Sequence, residues 1–233
     1  MSSDGFVRLD IAVIDSGVNP RHSHVQGVAG GVSLLMDRSG VVVEDEDFCD
    51  EIGHGTAIAG LIREKVPRAR LHAIKIFQKE LRAPTEVLLA ALQRAIRMRP
   101  KIIHLSLGTE RREDRPELDR LCRDAHHKRI VIVASARAPD DEVYPAALGT
   151  VIGVYWNQQC EEGSLVYHPG KPVEFGAHGR PRPLPGMPQE RNFSGSSFAA
   201  ARVTAWAAQY LEQNPRAGSR WVKRMLRGQA KGG

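Results

Sequence analysis

No stretch of this sequence approaches the ~20 consecutive apolar residues that a membrane-spanning helix needs, so no membrane partner is expected. The N-terminus, MSSDGFVRLDIAVIDSG, lacks a basic segment followed by a long apolar run and a small-residue cleavage site, so no secretory leader is expected. Cysteine is scarce. Cys49, Cys122 and Cys160 lie far apart, and no C-x-x-C pair is present, which argues against a zinc ribbon or a dithiol redox centre. An odd number of cysteines without a leader fits a reducing compartment, and a cytoplasmic location is expected. No internal repeat and no linker divides the 233 residues. One domain over 1–233 is therefore expected, with its core at about 8–213 and a basic helix and tail at about 214–233.

Hydrophobic residues make up 42% of the chain, enough for a substantial core and too many for a disordered one. Short apolar, β-branched runs alternate with helical patterns. RLDIAVID (8–15), RLHAIKIF (70–77), KIIHLSLG (101–108), RIVIVASA (129–136) and TVIGVYW (150–156) read as buried strands. Helices are expected after His54, over 84–98 with Pro84 near the start, over 115–128, from about Ser197, and near Gly218. The segment 161–191 is rich in Gly and Pro and reads as loops with one short strand, PVEF. This alternation predicts an α/β fold, a mostly parallel twisted sheet with helices on both faces.

Net charge is +6, and much of it falls in RAGSRWVKRMLRGQAKGG (216–233). No nucleic-acid motif accompanies that cluster, so a solvated last helix and tail is preferred to a nucleic-acid surface. The acidic run EDEDFCDE (44–51) lacks the D-x-[DN]-x-[DN]-G pattern of a calcium loop and reads as a solvated loop, not a calcium site or a dock for a basic peptide. The pair His22 and His24 in RHSH reads as exposed loop histidines, not metal ligands. No cofactor is expected; structural calcium is left open but has no motif to support it.

Three residues stand where an α/β sheet binds ligands. Asp15 ends a strand, and ligands of open sheets bind beyond the carboxyl ends of strands. His54 sits between two glycines at a helix start, and imidazole accepts a proton near neutral pH. Ser197 follows Gly195 at the head of the helix in NFSGSSFAAARVTA, where free N–H groups favour developing negative charge. Each has a plain structural reading: a turn cap, a loop histidine, a helix cap. Together they supply a nucleophile, a base for it, and a carboxylate to orient the base.

The chain order Asp, His, Ser is that of subtilisin. AVIDSGVN, GHGTAIAGLI and FSGSSFAAARVTA resemble the three signature blocks of the subtilisin-like serine peptidases, and the resemblance covers about residues 9–210. It implies a subtilisin-like fold and a serine endopeptidase acting on a peptide or protein, with maturation of one precursor as a task that would suit it, in a short intracellular form without a prodomain. Asp15 would orient His54, His54 would act as base, and Ser197 would attack the scissile carbonyl. The substrate would lie as an added strand between Ser106, Leu107 and Gly108 on one side and Val133, Ala134, Ser135 and Ala136 on the other.

The sequence departs from the family in three places. Ser196 replaces the usual threonine, and Ala201-Arg202 replaces Pro-His. Where the family carries an oxyanion-hole asparagine after its ASA-type strand, this chain has Ala138 or, shifted by one, Arg137. Candidates for the donor are the Ser197 N–H, Arg137, Ala138 and Asn157, with Gln158 and Asn192 as further amides. Arg137 beside the substrate pocket would also favour an acidic substrate side chain. The missing asparagine leaves open a second reading, a partner-activated or inactive peptide-binding protein; a third, weaker one is a nucleic-acid protein using the basic C-terminus.

Overall fold

The computed structural model describes residues 8–232, with the side chains of the last two left aside. Apolar strands order themselves into one ten-stranded sheet. In chain order the strands are β1 (Asp10–Asp15), β2 (Gly30–Met36), β3 (Val42–Asp45), β4 (Arg70–Lys75), β5 (Ile102–Leu105), β6 (Val131–Ala136), β7 (Ile152–Trp156), β8 (Leu165–Tyr167), β9 (Phe175–Ala177) and β10 (Lys231–Gly232). Across the sheet they run β10-β8-β9-β7-β6-β5-β1-β4-β2-β3. All pairs are parallel except β2–β3 and β8–β9.

The helices are α1 (His54–Lys65), α2 (Thr85–Met98), α3 (Arg115–His127), α4 (Ser196–Gln213) and α5 (Ser219–Gln229). A strand buried on both faces sends alternate side chains to opposite cores. Ile11 and Val13 of β1 join the core beneath α1, α4 and α5, while Ala12 and Ile14 join the core beneath α2 and α3. The α4 sequence AAARVTAWAA is small enough to lie flush on the sheet, and Ala199, Ala200, Ala201, Val203 and Ala205 are fully buried. The fold is the α/β arrangement expected.

Four strands were not foreseen. The antiparallel pair β2–β3 and the three-residue β8 are partly exposed strands in the outer parts of the sheet, and β10 is a two-residue strand in the basic tail. The strand expected at PVEF lies later, at β9, where Phe175 registers against Val154. Arg202 holds this irregular region to α4. Its buried guanidinium donates to Glu162 Oε1 at 2.7 Å and to the Arg180 carbonyl at 2.9 Å. The basic helix α5 buries Ser219, Val222 and Leu226, and its Lys223 and Arg227 both pair with Glu174, at 2.7 and 2.6 Å.

Candidate active site

β1 is central, between β4 and β5, and ends in Asp15, whose side chain is completely buried. Burial alone would raise its pKa. The His54 ring, its hydrogen bond, the Ser16 N–H and Ser106 outweigh that and hold the carboxyl below its ordinary 3.8. Oδ1 receives the Ser16 N–H at 2.7 Å and the Ser16 hydroxyl at 3.1 Å. The same oxygen lies 2.8 Å from His54 Nδ1.

His54 is brought there by the head of α1. Gly53 takes a left-handed φ of 90°. The Asp50 carboxylate accepts the N–H groups of Ile52, Gly53 and Thr56 and the Thr56 hydroxyl. The acidic run thus serves in part as turn chemistry. Gly55 packs so tightly that an added Cβ would lie 2.2 Å from the Gly17 carbonyl oxygen and 3.1 Å from Asp15 Oδ1. Ser16 Oγ accepts the Gly55 N–H at 2.9 Å, which closes the junction. Phe193 and Phe198 set ring edges against the imidazole at 5.6 and 5.2 Å between centroids.

Burial would lower the His54 pKa, but the Asp15 charge and hydrogen bond, with the charge of Asp50, raise it above 6.5. A raised histidine stabilises the fold at low pH, and that contribution fades as pH climbs through its folded pKa. A depressed aspartate stabilises above 3.8 and fades as pH falls through its own folded pKa. The pair's stabilisation is therefore complete between 3.8 and 6.5, and it fades as pH falls through the lowered Asp15 value or climbs through the raised His54 value. An NMR titration of the His54 ring is expected to give a midpoint above 6.5; a midpoint below it would mean that Asp15 does not hold the proton.

Ser197 is the second residue of α4, which opens at Ser196 directly after Gly195, whose φ is 144°. The first N–H groups of a helix have no acceptor inside it, so those of Ser196 and Ser197 are available to an anion. The Ser197 hydroxyl is directed at the Ser106 carbonyl at 3.5 Å; among the described residues no hydrogen bond joins it to His54. Rotation about χ1 re-aims a serine hydroxyl, and such bonds often close only on substrate. Ser197 borders a cleft of about 370 Å³ with Ser106, Gly108, Ser135, Ala136 and Arg137.

That cleft takes in part of the expected substrate site. Ser106, Leu107 and Gly108 line it, as do Ser135 and Ala136. Val133 and Ala134 do not, because their backbone pairs with β5 on one side and β7 on the other, leaving no edge for a further strand. The oxyanion candidates also divide. The Arg137 and Ala138 N–H groups both donate to Asp141 Oδ2, at 2.7 and 3.0 Å. The Arg137 guanidinium borders the cleft, pairs with Glu110 and stands 3.7 Å from Asp141, so an acidic substrate side chain would meet two carboxylates already beside it, and an acidic preference is not carried forward. Asn157 donates its amide N–H to Tyr155 Oη and accepts the Gln159 N–H at Oδ1, away from the cleft. Asn192 is likewise engaged, with the Arg182 carbonyl and the Phe193 N–H. Gln158 is exposed and also lies off the cleft.

Among the described residues no group of three or more His, Cys, Asp or Glu side chains is placed to hold a metal ion. No described helix is long and apolar enough to cross a membrane. The residues not foreseen as contributors are Ser16, Asp50, His104 and Phe193. Only His104 carried a signal, a polar side chain in the middle of an apolar strand.

A model of the subtilase family matches residues 8–233. The chain belongs to the subtilase family. It is 29% identical over 183 residues to the minor extracellular protease Epr of Bacillus subtilis (strain 168), covering 73% of this chain and 27% of that protein. It is 27% identical over 214 residues to an intracellular serine protease of Paenibacillus polymyxa, covering 84% of this chain and 64% of that one. This subtilase thus spans less than two thirds of either relative. Among solved structures, a cold adapted subtilisin-like serine proteinase superposes with a TM-score of 0.73 at 20% identity, over 97% of this chain and 82% of the other. A lanthipeptide protease superposes at 0.69 and 21% identity, over 94% and 79%. Both likenesses concern the fold: it is subtilisin-like.

Proposed function

We propose that this subtilase is a serine endopeptidase in which Ser197 attacks a peptide carbonyl, His54 takes the serine proton, and Asp15 orients and charge-balances His54. The observation that carries the reading is the buried 2.8 Å contact between Asp15 and His54 Nδ1 beside a serine at a helix head. The 2.8 Å contact leaves Nε2 as the proton acceptor. The chemistry needs no metal or organic cofactor. The substrate is a peptide or protein lying across the cleft between Ser106–Gly108 and Ser135–Ala136, and maturation of one specific precursor is the task we favour. The chain acts as one domain. The scarcity of cysteine and the kinship with an intracellular serine protease support a cytoplasmic setting. The Ser197 N–H supplies one oxyanion donor. The Arg137 guanidinium is the candidate for the second, since it lines the cleft and its ion pair with Glu110 is exposed to exchange.

The test is intact-mass labelling with a fluorophosphonate, beside Ser197→Ala. One adduct on the wild type, mapped to Ser197 and absent from the variant, is expected. No adduct after long exposure would remove the reading in favour of an inactive or partner-activated peptide-binding protein.

A further inference from the structure

β5 places a histidine among Ile102, Ile103 and Leu105, and its ring is fully buried. His104 Nδ1 lies 3.0 Å from Thr204 Oγ1 on α4, and Nε2 lies 2.9 Å from Ser106 Oγ, just beyond the strand. Burial, partly offset by Asp15, pushes the His104 pKa down to about 4. The ring is therefore neutral near pH 7 and has one N–H to give.

Which nitrogen carries that hydrogen matters to Asp15. Every hydrogen bond of standard geometry to the Asp15 carboxylate falls on Oδ1, and Oδ2 is buried without one. Ser106 helps to hold the Asp15 carboxyl low. β1 and β5 are neighbours with Ile14 opposite Leu105, so Asp15 and Ser106 leave the sheet side by side. If His104 carries its hydrogen on Nδ1, Nε2 is an acceptor and draws the Ser106 hydroxyl proton to itself. Oδ2, an anionic oxygen out of water, then has no donor. If the hydrogen is on Nε2, His104 donates to Ser106 Oγ and the Ser106 proton is free for Oδ2. Thr204 then donates to Nδ1. Threonine loses little either way, because in a helix its hydroxyl also has a backbone carbonyl within reach. The buried anion decides the tautomer.

We propose that His104 is a positioning residue for Asp15: held as the Nε2–H tautomer between Thr204 and Ser106, it commits the Ser106 hydroxyl to Asp15 Oδ2 and so fixes the carboxylate that orients His54. No proton is transferred along this chain. Its effect on turnover rests on the peptidase reading; its effect on His54 does not. The charged and titratable groups that face His54 are Asp15 from β1, Asp50 ahead of α1, and His104 from β5. Losing the Ser106 donor would leave Asp15 a more concentrated charge and raise the His54 pKa further.

Long-range proton–nitrogen NMR on the wild-type protein is expected to show His104 as Nε2–H; an Nδ1–H signal overturns the proposal without any variant. In variants, Ser106→Ala and His104→Leu are each expected to raise the His54 midpoint by about half a pH unit and to lower kcat about tenfold, with KM within about twofold. The double variant should go no further than either single one. His104→Gln, whose amide can replace the Nε2–H donor, should restore the wild-type midpoint. If His104→Leu does not fold, the tautomer and the Ser106→Ala shift decide. An unshifted His54 in Ser106→Ala, or shifts that add, would overturn it. A wild type that shows the tautomer and the shifts but takes no fluorophosphonate would sink the peptidase reading and leave the positioning role standing.

Discussion

Asp15→Asn is expected to lower kcat by about 10³–10⁴-fold while the protein stays folded. The Ser16 N–H, at 2.7 Å, requires an acceptor, so the asparagine should present its carbonyl oxygen where Oδ1 now lies. That oxygen can still accept from His54 Nδ1, so much of the geometry survives. What disappears is the negative charge. Burial then acts on His54 with only the weaker help of Asp50, and its pKa should fall below 6.5. The imidazolium formed during attack on a carbonyl would be left without its counter-charge. Raising the pH should not restore activity, because the base is already neutral. The checks are kcat at pH 7 and pH 9, the His54 titration, and thermal unfolding as a control. A fall of less than about tenfold would mean that Asp15 is not part of a working triad.

Gly55→Ala is expected to destabilise the fold by about 3 kcal/mol or more and to abolish the Asp15–His54 contact. The new methyl would have to displace the Gly17 carbonyl, a backbone atom in the turn that follows Asp15, and it would also press on Asp15 Oδ1. Relief requires α1 to move away from the end of β1, which carries His54 with it. Gly149→Ala is the control: its Cβ meets nothing within 4 Å and its φ is not left-handed, so a change within about 0.5 kcal/mol is expected. Urea unfolding should show a lower midpoint for Gly55→Ala at an unchanged slope. A Gly55→Ala protein as stable as the wild type would mean that the β1–α1 junction is looser than described.

The central strands and all five helices were legible because their signal is local. β1, β4, β5, β6 and β7 are buried on both faces, so each is a short apolar run that needs no partner to be noticed. The outer strands β2, β3 and β8 were not, since each is partly exposed and its place in the sheet is set by pairing rather than by a buried apolar run. The irregular region 161–191 had no pattern to follow. Its anchor, Arg202, could be seen only as an odd residue in an alanine-rich helix.

The sequence by itself determined the α/β class and the family, and it singled out Asp15, His54 and Ser197 as candidates, because each stands in a short motif at the end of a regular element. Only the tertiary structure decided what surrounds them. It closed Val133 and Ala134 inside the sheet, occupied the Arg137 and Ala138 amides with Asp141, turned Asn157 and Asn192 elsewhere, and set His104 behind Asp15. The physical reason is the same in each case. A hydrogen bond or a free strand edge is a property of two segments brought together, and nothing local in either segment encodes it.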